Sequence, residues 1–352
     1  MSISTLTTAK FLRSEPMAQW QPLPRRCQAL ELLNDYRNIH VPAPCLVLEE
    51  ETGKISASCN GFIDWWLTIH GMPKPDDIYW RRLDECYTLL QLPSRFTVVD
   101  QPLVYLSPVY HGWNIGHDLS VTLFTLLAYQ KTLQNADRLG LRTEDLGVAV
   151  SCASLSKSVN IDAVLRSFVP QNRIFDMQPG VAYNFTSLIL PPNCFFNLEY
   201  DIEMVRPLTE HLKRQINSNP IYQAALDSII HNCAGRFVLC KQESHTSARR
   251  LGMMPTWVQA ELSQRSWFII DPEKMALFEV IYLLSHASEV LLGSGAIQYA
   301  HKLFIGDSAR IHLLFDNPNY RANPHQQENR VNIPEHRWNE DPQWQRLLAS
   351  LP

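Results

Sequence analysis

A glycine-framed segment ahead of a long amphipathic stretch holds the residues best suited to proton transfer. Residues 111–118 read HGWNIGHD, and an amphipathic run follows over 119–133. The run predicts a helix with His117 and Asp118 at its N-terminus. An imidazole or carboxylate exposed there, between glycines that let a substrate approach, is suited to act as a general base. The alternative for Asp118 is an ordinary N-cap, which stabilises a helix by about 1 kcal/mol.

The same segment raises the question of a metal site, because it contains His111, His117 and Asp118. A metal centre needs further ligands, and no second group of histidines or carboxylates lies nearby in the sequence, so we expect no metal. The chain contains no GxSxG, HExxH, Walker loop or GxGxxG motif. Common hydrolases, zinc proteases, P-loop enzymes and dinucleotide dehydrogenases therefore lose most of their support.

Cationic residues and a glycine turn lie in the second half of the chain. Lys241, Arg249 and Arg250 follow a short apolar run. A guanidinium group can bind a diphosphate by donating two hydrogen bonds at once to its phosphate oxygens. A turn formed by Gly293, Ser294, Gly295 and Ala296 follows another apolar run and would offer free N–H groups to an anion. The alternatives are a solvated surface for the cations and a simple conformational need for the glycines.

The elements that would position these residues alternate from about residue 235 onward. Predicted strands lie at 236–240, 267–270, 289–292 and 310–315. Predicted helices lie at 257–262, from an N-cap at Asp271-Pro272 to about residue 287, and at 298–302. This alternation indicates a parallel sheet with crossover helices, which binds ligands at the carboxyl ends of its strands. Residues 316–343 predict a loop or extended arm, and 344–351 predict a helix that packs back.

Length and composition bound the class of protein. A chain of 352 residues predicts two domains, and we place them at 1–230 and 231–330, with a C-terminal arm and helix at 331–352. The net charge of −4 and the charged fraction of 19% argue against nucleic-acid binding. The eight scattered cysteines are typical of reduced thiols, and we find neither a secretory signal nor an apolar run of membrane-spanning length. We expect a soluble cytoplasmic protein, with peripheral association at the inner face of the membrane left open.

Two groups of motifs resemble the family 61 glycosyltransferases, which include plant xylosyltransferases and animal enzymes that add N-acetylglucosamine to O-mannose. Residues 114–126, NIGHDLSVTLFTL, resemble the first signature of that family. The second signature is similar to Arg249-Arg250, residues 268–271, residues 283–288, the turn at 293–296 and Leu303-Phe304. Three positions depart from the family pattern. Ser294 stands where the family commonly has His, Lys241 replaces an Arg, and Leu251 follows the Arg pair in place of an Asn.

The resemblance implies an α/β protein of the GT-B type, with two Rossmann-like domains facing a central cleft. It implies that 1–230 is the acceptor-side domain and that 231–330 holds the nucleotide-sugar donor, UDP-sugar being the expected one. It further implies inversion at the anomeric carbon, with no cofactor and no required metal. In that scheme Asp118 or His117 is the base, and Trp113 and Asn114 bind the acceptor. The donor-binding residues would be Lys241, Arg249, Arg250, Ser294, Gly295 and Ala296.

The resulting hypothesis is an inverting glycosyltransferase that moves a sugar to a glycan or lipid-linked acceptor in surface polysaccharide biosynthesis. A nucleotide-sugar epimerase is one alternative, because it can share the same two-domain layout without an acceptor. A catalytically inactive nucleotide-sugar-binding or scaffolding protein is the other, because Ser294 and Lys241 depart from the family pattern. The sugar, the acceptor and the oligomeric state stay open.

Overall fold

The computed structural model describes most of the chain in thirteen stretches. These are residues 17–31, 45–51, 55–57, 96–106, 115–150, 159–178, 181–191, 202–240, 254–272, 274–293, 301–314, 327–330 and 343–351. The chain divides into two compact units, Met1–Asn197 and Leu198–Pro352. Each unit contains a sheet with parallel strands and helices, so the expected α/β class is confirmed. Within the described residues, no helix is both long enough and apolar enough to cross a membrane.

The first unit is built on a mixed eight-stranded sheet. Its strands are β1 (Pro24–Glu31), β2 (Cys45–Glu49), β3 (Ile55–Ala57), β4 (Thr97–Val99), β5 (Leu103–Leu106), β6 (Gly147–Val150), β7 (Ile174–Asp176) and β8 (Ala182–Ile189). The order is β3-β2-β1-β8-β5-β6-β7, and β4 also pairs with β8. The pairs made by β1, β2 and β3 are antiparallel, whereas β4 to β8 are joined only by parallel pairs.

The parallel part of this sheet is a β-α-β-α-β unit. Helix α1 (Ile115–Gln134) connects β5 to β6, with the short α2 (Ala136–Leu139) after it, and α3 (Val159–Arg166) connects β6 to β7, with a 3₁₀ turn at Gln171–Arg173. Both connections advance in the same direction, so right-handed crossovers place α1 and α3 on one face, where they pack together. Gly147 opens β6 where a Cβ would lie 2.2 Å from the Arg173 carbonyl oxygen, so no larger residue fits.

The second unit is built on a five-stranded sheet in the order β10-β9-β11-β12-β13. Its strands are β9 (Arg236–Leu239), β10 (Phe268–Ile270), β11 (Glu289–Leu292), β12 (Arg310–Leu313) and β13 (Gln327–Arg330). Every pair is parallel, which confirms the parallel sheet predicted from the alternation. Strand β13 was not predicted, because its four residues are all polar and produce no apolar pattern.

Helices cover both faces of the second sheet. Helix α4 is Ile202–Asn217, α5 is Pro220–Cys233, α6 is Thr256–Gln264, α7 is Leu277–Ser285 and α8 is Gln343–Ser350, and a 3₁₀ turn lies at His301–Phe304. From β9 the chain passes through α6 to β10, and then returns through α7 to β11 on the other side of β9. Because these steps run in opposite directions, right-handed crossovers place α6 and α7 on opposite faces.

One face carries a core in which α6 and α8 meet the strands. Val238 and Leu291 from the strands, Leu262 from α6, and Trp344 and Leu347 from α8 are among its buried members. The C-terminal helix predicted at 344–351 therefore packs on the sheet of its own unit. The opposite face is covered by α7, which contacts α4, α5 and the 3₁₀ turn.

The unit boundary at Asn197 lies before α4 and α5, which the sequence analysis placed in the segment 1–230. Both helices belong with the second sheet because their polar side chains bind α7. The Tyr282 hydroxyl donates a 2.6 Å hydrogen bond to Asp227 of α5, and burial together with that carboxylate raises the pKa of Tyr282 to about 12. The Ser285 hydroxyl donates to Asn217 of α4 at 2.9 Å.

The start of α7 corrects the sequence analysis. The N-cap prediction at Asp271-Pro272 is wrong, since the helix begins at Leu277. The Glu279 carboxylate accepts a 3.0 Å hydrogen bond from the backbone N–H of Ala276, which fixes the start there. The short helix predicted at 298–302 is instead the 3₁₀ turn His301–Phe304, and residues 298–300 lie outside the described chain.

Candidate functional site

The carboxyl edge of the second sheet contains a point where the chain changes direction. Strands β9 and β11 are neighbours, but the chain leaves β9 toward β10 on one side and leaves β11 toward β12 on the other. In open α/β sheets, two connections that diverge in this way open a crevice outside the strand ends. In open α/β sheets this crevice is where ligands bind.

The strand ends at this edge are held in register by backbone hydrogen bonds that continue one residue beyond the strands. The N–H of Cys240 donates to the Ile270 oxygen at 3.2 Å, and the N–H of Gly293 donates to the Leu239 oxygen at 2.9 Å. A Cβ at position 293 would lie 3.2 Å from that same Leu239 oxygen, which is tighter than ordinary contact. Glycine therefore lets β11 end close against β9.

The predicted donor-binding residues follow these two strand ends in the chain. Lys241, Arg249 and Arg250 lie in segment 241–253, between β9 and α6, and Ser294, Gly295 and Ala296 lie in segment 294–300, after β11. All six lie outside the described residues. The described backbone reaches Cys240 before the first segment and Gly293 before the second. These two residues follow adjacent strands at the same edge of the sheet.

A buried carboxylate lies beside these strand ends. Asp271 follows β10 directly and is 4% exposed, with its Oδ2 3.8 Å from Lys274 Nζ. Burial, and then the charge of Asp271, raise the pKa of the Cys240 thiol to about 12, so this cysteine stays protonated at neutral pH. Asp271, which the sequence predicts to be a helix cap, is instead a buried carboxylate at the edge of the sheet.

Helix α6 starts at the same edge, because it runs back alongside the sheet from the end of β9 to the start of β10. Its N-cap is Pro255, which provides no side-chain cap. Trp257 lies in the first turn with 45% of its surface exposed. No pattern in the sequence distinguishes Trp257.

His301 lies on the stretch that leads away from the end of β11. Its side chain is 1% exposed, and within the described part of the chain neither ring nitrogen has a hydrogen-bond partner. Burial lowers the pKa of His301 to about 4, so the imidazole is neutral at physiological pH. The sequence does not indicate this buried position, because a single histidine forms no motif.

In the first unit, the predicted catalytic residues lie where the parallel strands end. Helix α1 follows the carboxyl end of β5, and His117 and Asp118 lie in its first turn, as the sequence predicted. Both are inside the helix, so Asp118 is not its N-cap. The positions of these two side chains, and the whole of Trp113 and Asn114, lie outside the described structure.

Two carboxyl groups, those of Asp176 and Asp162, lie near each other at the carboxyl ends of this sheet. Burial, and next the negative charge of Asp162, raise the pKa of the Asp176 carboxyl at the end of β7. Asp162 is itself bound by Arg166, with 2.5 Å between the carboxylate and the guanidinium Nε. Among the described residues of both units, no group of three or more His, Cys, Asp or Glu side chains is arranged to hold a metal ion.

Comparison with known proteins identifies no family for this chain. No protein-family model matches the chain, and no curated protein sequence matches it.

We predict that His301 makes folding sensitive to mild acid. The unfolded imidazole, with an ordinary pKa near 6.5, gains a proton as the pH falls, whereas the folded one stays neutral down to about 4. The unfolded state therefore binds more protons, and wild type should lose about 1.3 kcal/mol of unfolding free energy between pH 7.5 and 5.5 from this group. Urea unfolding at both pH values measures it.

The control is His301→Phe, a variant of similar shape that cannot titrate. Its unfolding free energy should fall by about 1.3 kcal/mol less than that of wild type over the same pH interval. Equal pH dependence in the two proteins would show that His301 is hydrogen-bonded or hydrated in the folded state.

Proposed function

We propose that this protein is an inverting glycosyltransferase that transfers a sugar from a nucleoside diphosphate to a glycan or lipid-linked acceptor. One observation carries the proposal. The two cation- and glycine-bearing segments of the second unit leave adjacent parallel strands, β9 and β11, at the point where the chain direction changes. That arrangement suits a diphosphate, which backbone N–H groups and guanidinium groups bind together.

The proposed architecture is GT-B, with one Rossmann-like domain for each substrate. The first unit offers a β-α-β-α-β arrangement and the second a sheet with helices on both faces, and both are compatible with that architecture. In the proposal the first unit binds the acceptor through Trp113 and Asn114. The second binds the donor, with UDP-sugar as the expected one.

The chemistry proposed is a single displacement. Asp118, or His117 in its place, removes the proton from the acceptor hydroxyl, and the oxygen attacks the anomeric carbon from the face opposite the leaving group. The bond from that carbon to the diphosphate oxygen breaks, and its electron pair leaves with the nucleotide. Lys241, Arg249 and Arg250, with N–H groups at Ser294, Gly295 and Ala296, stabilise the charge that develops there. The products are the lengthened glycan, the nucleoside diphosphate and one proton.

The first test is nucleotide binding. A ligand that binds only the folded state stabilises it by about 2.7 kcal/mol at one hundred times its Kd, which raises Tm by several degrees. We expect one of UDP, GDP, CDP or TDP to do so in the presence of EDTA, and Arg249→Ala to abolish the rise. Arg310→Ala is the matched control, because Arg310 opens β12 at the opposite edge with its side chain 60% exposed.

No rise of Tm with any of the four nucleotides would contradict a donor site. A rise that Arg249→Ala and Arg310→Ala both preserve would place the nucleotide elsewhere.

The second test separates transfer from binding. Asp118→Asn removes the proposed base while keeping the shape of the side chain, so sugar transfer to a glycan acceptor should fall by about 10²–10⁴-fold. Donor affinity should stay as in wild type, since the proposed donor residues lie in the other unit. Product formation from a radiolabelled UDP-sugar measures transfer, and His117→Gln shows whether the neighbour takes the role.

Normal turnover by Asp118→Asn and His117→Gln alike would refute the proposed mechanism. A free, altered sugar released without any acceptor would identify the epimerase alternative. Donor binding without any turnover in wild type would identify the inactive binding protein.

A further inference from the structure

Trp257 differs from the other tryptophans that the structure describes. Trp20, Trp267 and Trp344 are 7%, 3% and 0% exposed, and each packs into the interior of its unit. Trp257 leaves 45% of its surface in solvent. A large aromatic ring exposed on a regular helix is free to stack on a flat ligand.

The exposure of Trp257 is built into a well-anchored helix start. Met254 and Pro255 just before it are buried, and Val258 just after it is fully buried in the core of the unit. The Gln259 side chain donates a 2.7 Å hydrogen bond to the Met254 carbonyl oxygen and closes the first turn. The backbone N–H of Gln259 donates to the Pro255 oxygen at 3.1 Å. The Trp257 backbone is therefore held in place while its side chain faces solvent.

Trp257 lies at the carboxyl edge of the sheet, the edge where open α/β sheets bind ligands. Helix α6 leads from the carboxyl end of β9 to the amino end of β10, so its first turn, with Trp257, is at the carboxyl edge. Strand β9 is one of the two strands that flank the crevice, and the backbone of Gly293, at the end of the other, bonds to the last residue of β9. A ligand bound at the end of β9 therefore lies at the same edge of the sheet as Trp257.

We propose that Trp257 is the stacking platform for the nucleobase of the nucleoside diphosphate. This inference rests on the proposed function, which provides a ligand with a diphosphate and a planar base. Stacking on an aromatic face accepts every base, because each has a π surface. Trp257 therefore contributes affinity for the nucleoside, while the choice among bases is made by other contacts.

The experiment compares Trp257→Phe with Trp257→Gln. UDP, GDP, CDP and TDP are each titrated calorimetrically into wild type and both variants, with inorganic pyrophosphate as the fifth probe. Phe keeps an aromatic face, so Trp257→Phe should bind within about threefold of wild type. Gln has none, so Trp257→Gln should lose about tenfold or more in affinity for the nucleotide. Pyrophosphate, which has no base, should bind wild type and Trp257→Gln equally.

Gln264→Ala is the matched control, since Gln264 is exposed in the last turn of the same helix. It should bind the nucleotide as wild type does. Circular dichroism and Tm establish that all variants are folded, which is expected for substitutions of exposed side chains.

The outcomes distinguish the stacking role of Trp257 from the proposed function. Nucleotide binding that is equal in wild type and Trp257→Gln would overturn the stacking role and leave the proposed function intact. An equal loss for pyrophosphate would overturn it as well, because the residue would then act on the diphosphate. If no nucleotide binds wild type, the proposed function and the stacking role both fail.

Discussion

The parallel pairing of β9 with β11 is the constraint on which the candidate site depends. Four residues of β11 lie in register with the four of β9, and the ladder continues through the hydrogen bond from Gly293 to Leu239. Because these two strands end side by side while their connections diverge, the segments that follow them start at adjacent points of one edge. A shift in this pairing would separate the cationic segment from the glycine turn.

Two buried polar side chains of the second unit, Asp271 and His301, are informative because burying a polar group is costly. Asp271 is a nearly buried carboxylate at the end of β10, and its charge adds to the burial that keeps Cys240 protonated. His301 is a neutral imidazole whose nitrogens have no partner among the described residues. A core built for stability alone would favour an apolar side chain at position 301, because an unpaired buried polar group costs about 1–3 kcal/mol. Groups with shifted pKa values, as Cys240 and His301 have, are concentrated at functional sites in proteins generally.

The sequence predicted elements well where burial produces a pattern, and poorly where backbone or side-chain bonding decides. Strands β9, β11 and β12 were found because they are short apolar runs buried on both faces of a parallel sheet. Strand β13 was not predicted, since its four residues are all polar and form no apolar run. The start of α7 was misplaced because a Glu279 hydrogen bond, and not the Asp-Pro pair, fixes it. Helices α4 and α5 group with the second unit, and their attachment to α7 includes bonds such as Tyr282 to Asp227, which join residues distant in sequence. Trp257 has no sequence signal, since only its exposure distinguishes it.

The central claim is that the carboxyl edge of the second sheet binds a nucleoside diphosphate. Photolabelling with 5-azido-UDP tests it most directly, because the reactive base marks the residues that it touches. The protein is irradiated with the probe, digested, and mapped by mass spectrometry, with excess UDP as competitor. The account predicts labelled peptides from residues 240–257 or 293–304, lost on competition. Competable labelling confined to residues 1–197 would contradict it.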